Sequence, residues 1–253
     1  MAKTGCFVLA ITAALACGQA ARADFVLYDG ALNTTPDAQG WLYLASPGSA
    51  ATRTASGGVT VLDSTAASAD MAGFFSTGHP LVGTLDRAAG FTVTFRLQLD
   101  RESHTSNDRA GFSVIALGSD SKGVVLGFWN NEVWAQKDSP IFTHGEGAAF
   151  DTTAALTDYA LTISGNGYTL KAGAQTLLTG VVKDYSAFGA PYTQKSFLFF
   201  GDDTTSAAAL TRIARVTLGA VPEPSAWVMT ACGGLGLLAS GTKFRLGFRA
   251  FKR

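Results

Sequence analysis

Phe91-Thr-Val-Thr-Phe-Arg-Leu-Gln-Leu99 alternates strictly between apolar and polar side chains. The odd-numbered positions are apolar and the even-numbered positions are polar, which is the pattern of a β-strand with one buried face. Shorter strand-like runs surround it. They lie at residues 59–62, 111–117, 124–129, 133–135, 159–164, 168–172, 175–178, 196–200 and 213–218. No segment between residues 24 and 219 has a convincing helical period, so this region is predicted to be all-β.

Turn signals separate several of these runs. Asn166-Gly167 lies between two alternating segments, and Asn130-Asn131 and Gly173 occupy equivalent positions. Such residues favour tight hairpins because they tolerate the backbone angles that short turns need. Many short strands joined by hairpins predict an antiparallel β-sandwich or jelly roll. There is no internal repeat, and residues 24–219 are predicted to form one domain.

The N-terminus has the features of a secretory signal peptide. Lys3 precedes an apolar stretch at residues 6–16, and Ala21 and Ala23 supply the small residues that signal peptidase reads. The predicted signal peptide is residues 1–23, with cleavage before Asp24. A second possible processing site, Ala14-Leu15-Ala16-Cys17-Gly18, loosely resembles a lipoprotein box, with alanine where leucine is expected.

The C-terminus combines a short motif, an uncharged span and a basic end. Val221-Pro222-Glu223-Pro224 precedes residues 225–242, which carry no formal charge. At about 1.5 Å per residue, a helix of this length spans nearly the hydrocarbon core of a bilayer. The basic residues that follow are expected to keep the C-terminus on the cytoplasmic side. They are Lys243, Arg245, Arg249, Lys252 and Arg253. The alternative is a buried C-terminal helix of a soluble domain, which rarely ends in such a charge cluster.

Setting both ends aside changes the charge of what remains. Residues 24–220 contain 12 basic and 18 acidic residues, a formal charge of −6, although the whole chain is formally neutral. A domain of this sign lacks the clustered Lys and Arg that nucleic acid requires, so no nucleic-acid partner is expected. Cys6, Cys17 and Cys232 all lie outside this range. The exported domain is therefore expected to fold without a disulfide.

The C-terminal arrangement resembles the PEP-CTERM sorting signal, which exosortases recognise in bacteria that make extracellular polysaccharide. By position, Val221, Pro222, Glu223 and Pro224 correspond to the recognition motif, residues 225–242 to the membrane span and residues 243–253 to the stop-transfer end. The resemblance implies processing by signal peptidase and exosortase. It also implies a membrane anchor before processing, and then the cell surface or extracellular matrix of a Gram-negative-type bacterium.

The middle of the chain, roughly residues 70–218, resembles concanavalin-like jelly-roll sandwiches of lectins, laminin-G-like domains and glucanases. Gly127-Phe-Trp129, Val133-Trp-Ala-Gln136 and Asp184-Tyr-Ser-Ala-Phe188 are also similar in style to the "choice-of-anchor" surface domains. This resemblance implies a fold, and it does not imply an activity.

One group of residues has the composition of a catalytic site. Asp100, Glu102 and His104 recur at a period of two, so a continued strand would place all three on its polar face. Two carboxyl groups so placed resemble the acid and base of a retaining glycosidase. The hydrophilic residues around them favour a solvated loop instead, and the Glu-x-Asp-x-x-Glu pattern of sandwich glucanases is absent. No catalytic residue is therefore assigned.

Metal binding has weaker support. Asp202 and Asp203 follow a predicted strand and could offer oxygen ligands to calcium, although an Asx-rich turn explains the same residues more simply. The three histidines show no zinc-binding spacing. No cofactor is expected, with calcium as the one alternative.

Aromatic residues suggest a sugar-binding platform. Trp129 and Trp134 flank a predicted turn, and Tyr185 and Tyr192 follow downstream. These rings could stack on sugars, or they could fill the core as in many sandwiches. Three functions remain open at this stage. They are a non-catalytic surface or matrix domain that holds extracellular polysaccharide, a glycan-active hydrolase or lyase, and a structural spacer or adhesin component without a ligand.

Overall fold

Two antiparallel β-sheets account for most of the regular structure in residues 24–220, which are the residues that the computed structural model describes. The prediction of an all-β antiparallel sandwich is confirmed. The strands are β1 (Phe25–Asp29), β2 (Leu42–Ala45), β3 (Thr52–Ser56), β4 (Val59–Asp63), β5 (Ala72–Phe75), β6 (Phe91–His104), β7 (Phe112–Leu117), β8 (Gly123–Phe128), β9 (Glu132–Asp138), β10 (Ile141–Ala149), β11 (Thr157–Ser164), β12 (Gly167–Ala172), β13 (Gln175–Val181), β14 (Phe197–Asp202) and β15 (Ala207–Ala220).

The sheets differ in strand order and in size. The eight-stranded sheet runs β13-β12-β11-β6-β15-β4-β3, with β1 also paired to β15. The seven-stranded sheet runs β10-β9-β8-β7-β14-β5-β2. Helical structure in the described residues is confined to three short 3-10 turns, at Gly30–Leu32, Pro36–Gln39 and Ser186–Phe188.

Strand β6 has the alternation that the sequence predicts, and it continues to His104. Its odd-numbered apolar residues from Phe91 to Leu99 are buried between the sheets. At the Asp100 position a β-bulge interrupts the pairing with β15, because Leu99 lies opposite Thr211 while Arg101 lies opposite Leu210. One extra residue reverses the alternation. Residues 100–104 are part of strand β6 at and beyond this bulge, so the expectation of a solvated loop was wrong.

The three predicted hairpins are present, one of them shifted. Turns connect β8 to β9 and β12 to β13 where Asn130-Asn131 and Gly173 predicted them. Between β11 and β12, Ser164 pairs with Gly167, so the turn residues are Gly165 and Asn166. Gly165 has a φ of 57°, which glycine adopts without steric cost. The turn therefore starts one residue earlier than predicted.

The main core lies between the two sheets and is rich in aromatic rings. Phe95 and Tyr159 stack in the eight-stranded sheet, with centroids 5.7 Å apart, and Phe128 meets both rings edge-on. Phe74 and Phe200 extend this cluster along the seven-stranded sheet. These rings bury enough apolar surface to hold the two sheets together.

A second apolar cluster covers the outer face of the seven-stranded sheet. A connecting segment, residues 183–196, crosses this face and is called the arch below. Lys183 begins it with two backbone hydrogen bonds to Gly123, of 3.0 and 2.8 Å, and Ser196 ends it with a backbone hydrogen bond to Gly118. Beneath the arch, Tyr185 and Tyr192 pack with Phe142.

The predicted terminal segments lie outside the described residues. This applies to the signal peptide at residues 1–23, including the cleavage positions Ala21 and Ala23, and to the sorting motif, span and basic tail at residues 221–253. Within residues 24–220, no helix has the length and apolar character needed to cross a bilayer.

Candidate functional site

A row of small residues crosses the outer face of the seven-stranded sheet. Alternation sends the even-numbered core residues of β5, β7, β8 and β14 inward, so the odd-numbered residues face outward. At one level four of these outward positions, paired in register across the strands, have little or no side chain. They are Gly73, Gly201, Ser113 and Gly127. The adjacent outward level carries large side chains that the arch covers, namely Phe75, Phe199, Ile115 and Val125.

A cleft lies beside the arch, at the part of the outer sheet face that the arch does not cover. Its volume is about 490 Å³, within the range of small-molecule sites. One side is formed by strands β2 and β5 and the other by the arch. Its lining is mostly apolar and includes Leu44, Met71, Phe75, Phe188, Pro191 and Phe199, together with Asp202 and Asp203.

Phe188 is the most exposed aromatic ring at the cleft. Sixty-one per cent of this residue is accessible to solvent, and Leu44 across the cleft is 49% exposed. The ring is held from behind by edge-on contacts with Phe142 and Tyr192, with centroid distances of 4.9 and 5.8 Å. An exposed but supported ring of this kind offers a rigid apolar face to a ligand.

A polar pocket adjoins the cleft. Its volume is about 190 Å³, and it shares Met71, Phe188, Tyr192 and Asp203 with the cleft. The residues that only this pocket contains are Arg109, Gln136, Phe142, Thr204 and Thr205. The two cavities together therefore join an apolar wall to a group of hydrogen-bonding side chains.

Three side chains set the chemistry of the polar pocket. Arg109 is fixed by hydrogen bonds from Nη1 to the backbone oxygens of Asp108 and Phe142, at 2.7 and 2.6 Å. Asp203 accepts a hydrogen bond of 3.3 Å from the Tyr192 hydroxyl. Burial raises the pKa of Asp203, and hydrogen bonding together with the charge of Arg109 partly opposes that shift. Gln136 is 4% exposed, and its Oε1 has no hydrogen-bond partner among the described residues.

Asp202 and Asp203, the predicted calcium ligands, point in different directions. Asp202 faces the space between the sheets, where Ser64 Oγ lies 2.6 Å from its Oδ2. The backbone N–H of Thr204 donates to its Oδ1 at 3.1 Å, which is the Asx-turn arrangement. Asp203 instead bonds Tyr192 on the outer side. In residues 24–220 no group of three or more His, Cys, Asp or Glu side chains is placed to hold a metal ion.

The β-bulge separates Asp100 from the other two residues of the predicted catalytic group. Asp100 lies outside the sandwich, with both carboxylate oxygens 2.9 Å from Arg212 Nε. Glu102 is buried and hydrogen-bonds His104 Nδ1 at 3.0 Å and the backbone N–H of Gly111 at 3.2 Å. Burial raises the pKa of Glu102. The expectation that a continued strand would place all three on one polar face was wrong.

The predicted aromatic platform is largely interior. Trp134 is fully buried, with its indole over Gly127 and the His144 ring stacked on it at 4.3 Å. Trp129 is half-buried, contacts Trp134 at 5.5 Å and stacks on His104 at 4.2 Å.

Tyr185 lies in a different cluster and is also fully buried. It stacks on Phe142 beneath the arch, and its hydroxyl donates to the backbone oxygen of Gln136 at 2.6 Å. The structure brings the two tryptophans together and places the ring of Tyr185 between the arch and the sheet, so the three residues support the outer face without forming one exposed surface.

Sequence reasoning named Tyr192, Asp202 and Asp203, which line the cleft, but it did not assign a binding role to Phe188, Gln136 or Arg109. Phe188 stands in a polar connecting segment, where a large ring has no strand to bury it. Gln136 lies two residues after Trp134 in β9 and therefore faces the same side of the sheet. A polar residue beside a large aromatic one on that side could have indicated a binding position. Arg109 stands in a loop before β7, and nothing in its sequence context places it beside Asp203.

Comparisons with known proteins give remote likenesses. No family model matches the sequence, and no curated protein matches it. A solved protein of unknown function with a galectin-like fold from Bacillus subtilis is similar, with a TM-score of 0.49 and 10% identity over 78% of this chain and 96% of that chain. The carbohydrate esterase vb_24B_21 from Shiga toxin-encoding bacteriophage phi24B gives a TM-score of 0.49 and 13% identity, covering 73% of this chain and 91% of that chain.

The exoplasmic/lumenal domain of VIP36, in a form bound to Ca²⁺ and Man3GlcNAc, gives a TM-score of 0.42 and 8% identity over 73% of this chain and 85% of that chain. Likenesses this remote carry no conclusion about this chain, and no function is taken from them.

We expect the substitution Asp202→Asn to remove a pH dependence of stability. Burial raises the pKa of Asp202 from 3.8 to about 8, so the folded protein favours the neutral acid. The stabilisation that this group contributes is complete below about pH 4 and is lost as the pH rises towards 8, by at most about 1.4 kcal/mol per pH unit. An asparagine stays neutral and can donate to Ser64 Oγ, which can itself donate to the Ala209 oxygen.

Urea unfolding of the wild type and the variant between pH 5 and 9 measures this effect. The free energy of unfolding of the wild type should fall with pH relative to that of Asp202→Asn. Asp100→Asn is the control, because Asp100 lies at the surface beside Arg212. Parallel pH profiles for the wild type and Asp202→Asn would contradict the prediction.

Proposed function

We propose that this chain is an exported, non-catalytic domain of the bacterial surface or extracellular matrix, and that it binds polysaccharide in the cleft beside the arch. The observation that carries the proposal is the pairing of an exposed, supported ring, Phe188, with a polar pocket that contains Arg109, Gln136 and Asp203. Pyranose rings have apolar faces and hydroxyl-bearing edges. A site that binds them needs an aromatic wall next to hydrogen-bonding groups, which is what this surface offers.

The separation of the acidic residues supports the non-catalytic part of the proposal. Asp100 is held at the surface by Arg212, while Glu102 is buried against His104. Neither carboxyl group lines the cleft or the polar pocket. The hydrolase or lyase alternative needs two catalytic groups that face one substrate, and this pair does not supply them.

Export and sorting are proposed from the sequence. The signal peptide at residues 1–23 directs the chain out of the cytoplasm, and the Pro222-Glu223-Pro224 motif, the uncharged span and the basic tail direct it to an exosortase. Within the sandwich class, the repeated crossing of the chain between the two sheets supports the concanavalin-like jelly-roll type.

Replacement of Phe188 by alanine should weaken polysaccharide binding about tenfold. The reason is the loss of the apolar wall, since an aromatic contact contributes up to about 1.5 kcal/mol. The measurement is the retardation of full-length protein in native gels that contain neutral glucans, mannans or xylans, or acidic polyuronates.

Phe25→Ala is the matched control, because Phe25 is a phenylalanine of similar exposure, 57%, that does not line the cleft. It should leave retardation unchanged. If no polysaccharide retards the wild type, the chain is the structural spacer considered above and the binding proposal fails. Equal loss of retardation in both variants would place the binding surface elsewhere.

The substitution Glu223→Gln should block processing at the C-terminus. If an exosortase reads the Pro-Glu-Pro motif, loss of its one charge leaves an unprocessed, membrane-associated precursor. Immunoblots of membrane and extracellular fractions from the native host measure this outcome. Ser225→Ala, directly after the motif, should be processed normally. Normal processing of Glu223→Gln would remove the role assigned to the motif.

A further inference from the structure

Gln136 carries a structural cost that nothing in the described fold offsets. Its side chain is almost completely buried, and its Oε1 has no hydrogen-bond partner within residues 24–220. A buried polar atom without a partner destabilises the folded state, whereas an apolar side chain of similar size would not. A polar residue at such a position indicates a partner from outside the chain.

The position of this carboxamide is well defined. Gln136 lies in β9 on the outer face of the seven-stranded sheet, and its backbone oxygen accepts a hydrogen bond from Tyr185 beneath the arch. The side chain forms part of the wall of the polar pocket, together with Arg109, Asp203 and Thr205. The carboxamide therefore belongs to a residue that lines a cavity adjoining the cleft, and its unpaired oxygen is buried behind that wall.

The groups around the pocket favour a neutral, hydroxyl-rich ligand. An unpaired carboxamide oxygen needs a donor, which a hydroxyl supplies and a carboxylate does not. Asp203 can accept from a hydroxyl as a carboxylate and can also donate to one as a neutral acid, so both of its forms suit the same ligand. Arg109, whose charge is opposite to that of ionised Asp203, offers donors to hydroxyl oxygens.

We infer that the polar pocket is a subsite for a single neutral pyranose ring, and that Gln136 determines its specificity by accepting a hydrogen bond from a ring hydroxyl. The inference deepens the proposed function, because it names the sugar class that the pocket end of the cleft selects. Phe188 then contacts the neighbouring part of the ligand along the cleft. An acidic sugar fits less well in any orientation that turns its carboxylate toward ionised Asp203.

Saturation-transfer NMR on the full-length protein tests the inference without a polysaccharide. The probes are D-glucose, D-galactose, D-mannose and D-xylose, with D-glucuronate as the acidic comparison. At least one neutral sugar should receive saturation from the wild type. The signal should fall at least fivefold in Gln136→Leu and persist in Gln175→Leu, an exposed glutamine on β13. Thr205→Ala, at the exposed rim of the pocket, gives a second and milder loss.

Several results would overturn the inference. They are the absence of transfer to every neutral sugar, transfer to glucuronate alone, or an equal signal from the wild type and Gln136→Leu. Gln136→Leu should also unfold at the same or a higher urea concentration than the wild type, because it removes an unpaired buried oxygen. A clear loss of stability would mean that the carboxamide is bonded within the protein.

The two proposals fail in different ways. Retardation by polysaccharide that depends on Phe188, without binding of any neutral monosaccharide, would leave the proposed function standing and remove the pyranose subsite. Binding of a neutral monosaccharide that depends on Gln136, without retardation by any polysaccharide, would do the opposite.

Discussion

Burial of the centre of the seven-stranded sheet on both faces is the constraint on which the rest of the structure depends. Strands β7, β8 and β14 are buried along their whole length, because the main core covers one face and the arch covers the other. A strand pattern of this kind is usual where helices cover a sheet, and here aromatic side chains of a connecting segment do the same. The arch joins this sheet at Gly123, which makes two backbone hydrogen bonds with Lys183. A Cβ at Gly123 would lie 1.8 Å from the Ala116 oxygen of β7, so a residue without a side chain is needed there for β7 and β8 to pair this closely.

The cleft follows from the limits of that cover. Phe75 and Phe199 lie where the arch ends and line the cleft, together with Gly73, which has no side chain to fill the space. The polar groups near this edge are unfavourable for stability. Asp202 is buried with a raised pKa, and Gln136 has an unpaired oxygen. Residues that lower the stability of the folded state are common at binding and catalytic sites, because function there requires groups that do not stabilise the fold.

The sequence allowed the sandwich to be predicted for a physical reason. In β6 apolar and polar residues alternate. A strand that is covered on one face places every second residue in the core, so this alternation predicts both the strand and its buried face. The bulge at Asp100 could not be predicted from the sequence. Residues 100–104 are all polar, so the alternation of apolar and polar residues ends before the bulge and cannot show a shift. Only the pairing with β15 reveals the extra residue.

The outer face was harder to predict than the main core. In β8 and β14 nearly every residue is apolar, so the pattern does not show which side faces the arch. Residues 183–196 have no period, and nothing local shows that they cross a sheet. Trp134 and Tyr185 are both fully buried. The sequence alone does not distinguish an aromatic residue in the core from one that is exposed to a sugar. The Gln136 position carried more information, because a buried carboxamide needs a partner.

The most direct test of the cleft as the binding surface is hydrogen–deuterium exchange of the full-length protein, with and without saturating neutral polysaccharide from a panel of glucan, mannan and xylan. The account predicts that at least one polysaccharide slows exchange in residues 186–192 of the arch and residues 203–206 after β14, while the eight-stranded sheet is unchanged. Protection confined to the eight-stranded sheet, or the same exchange with and without every polysaccharide, would contradict it.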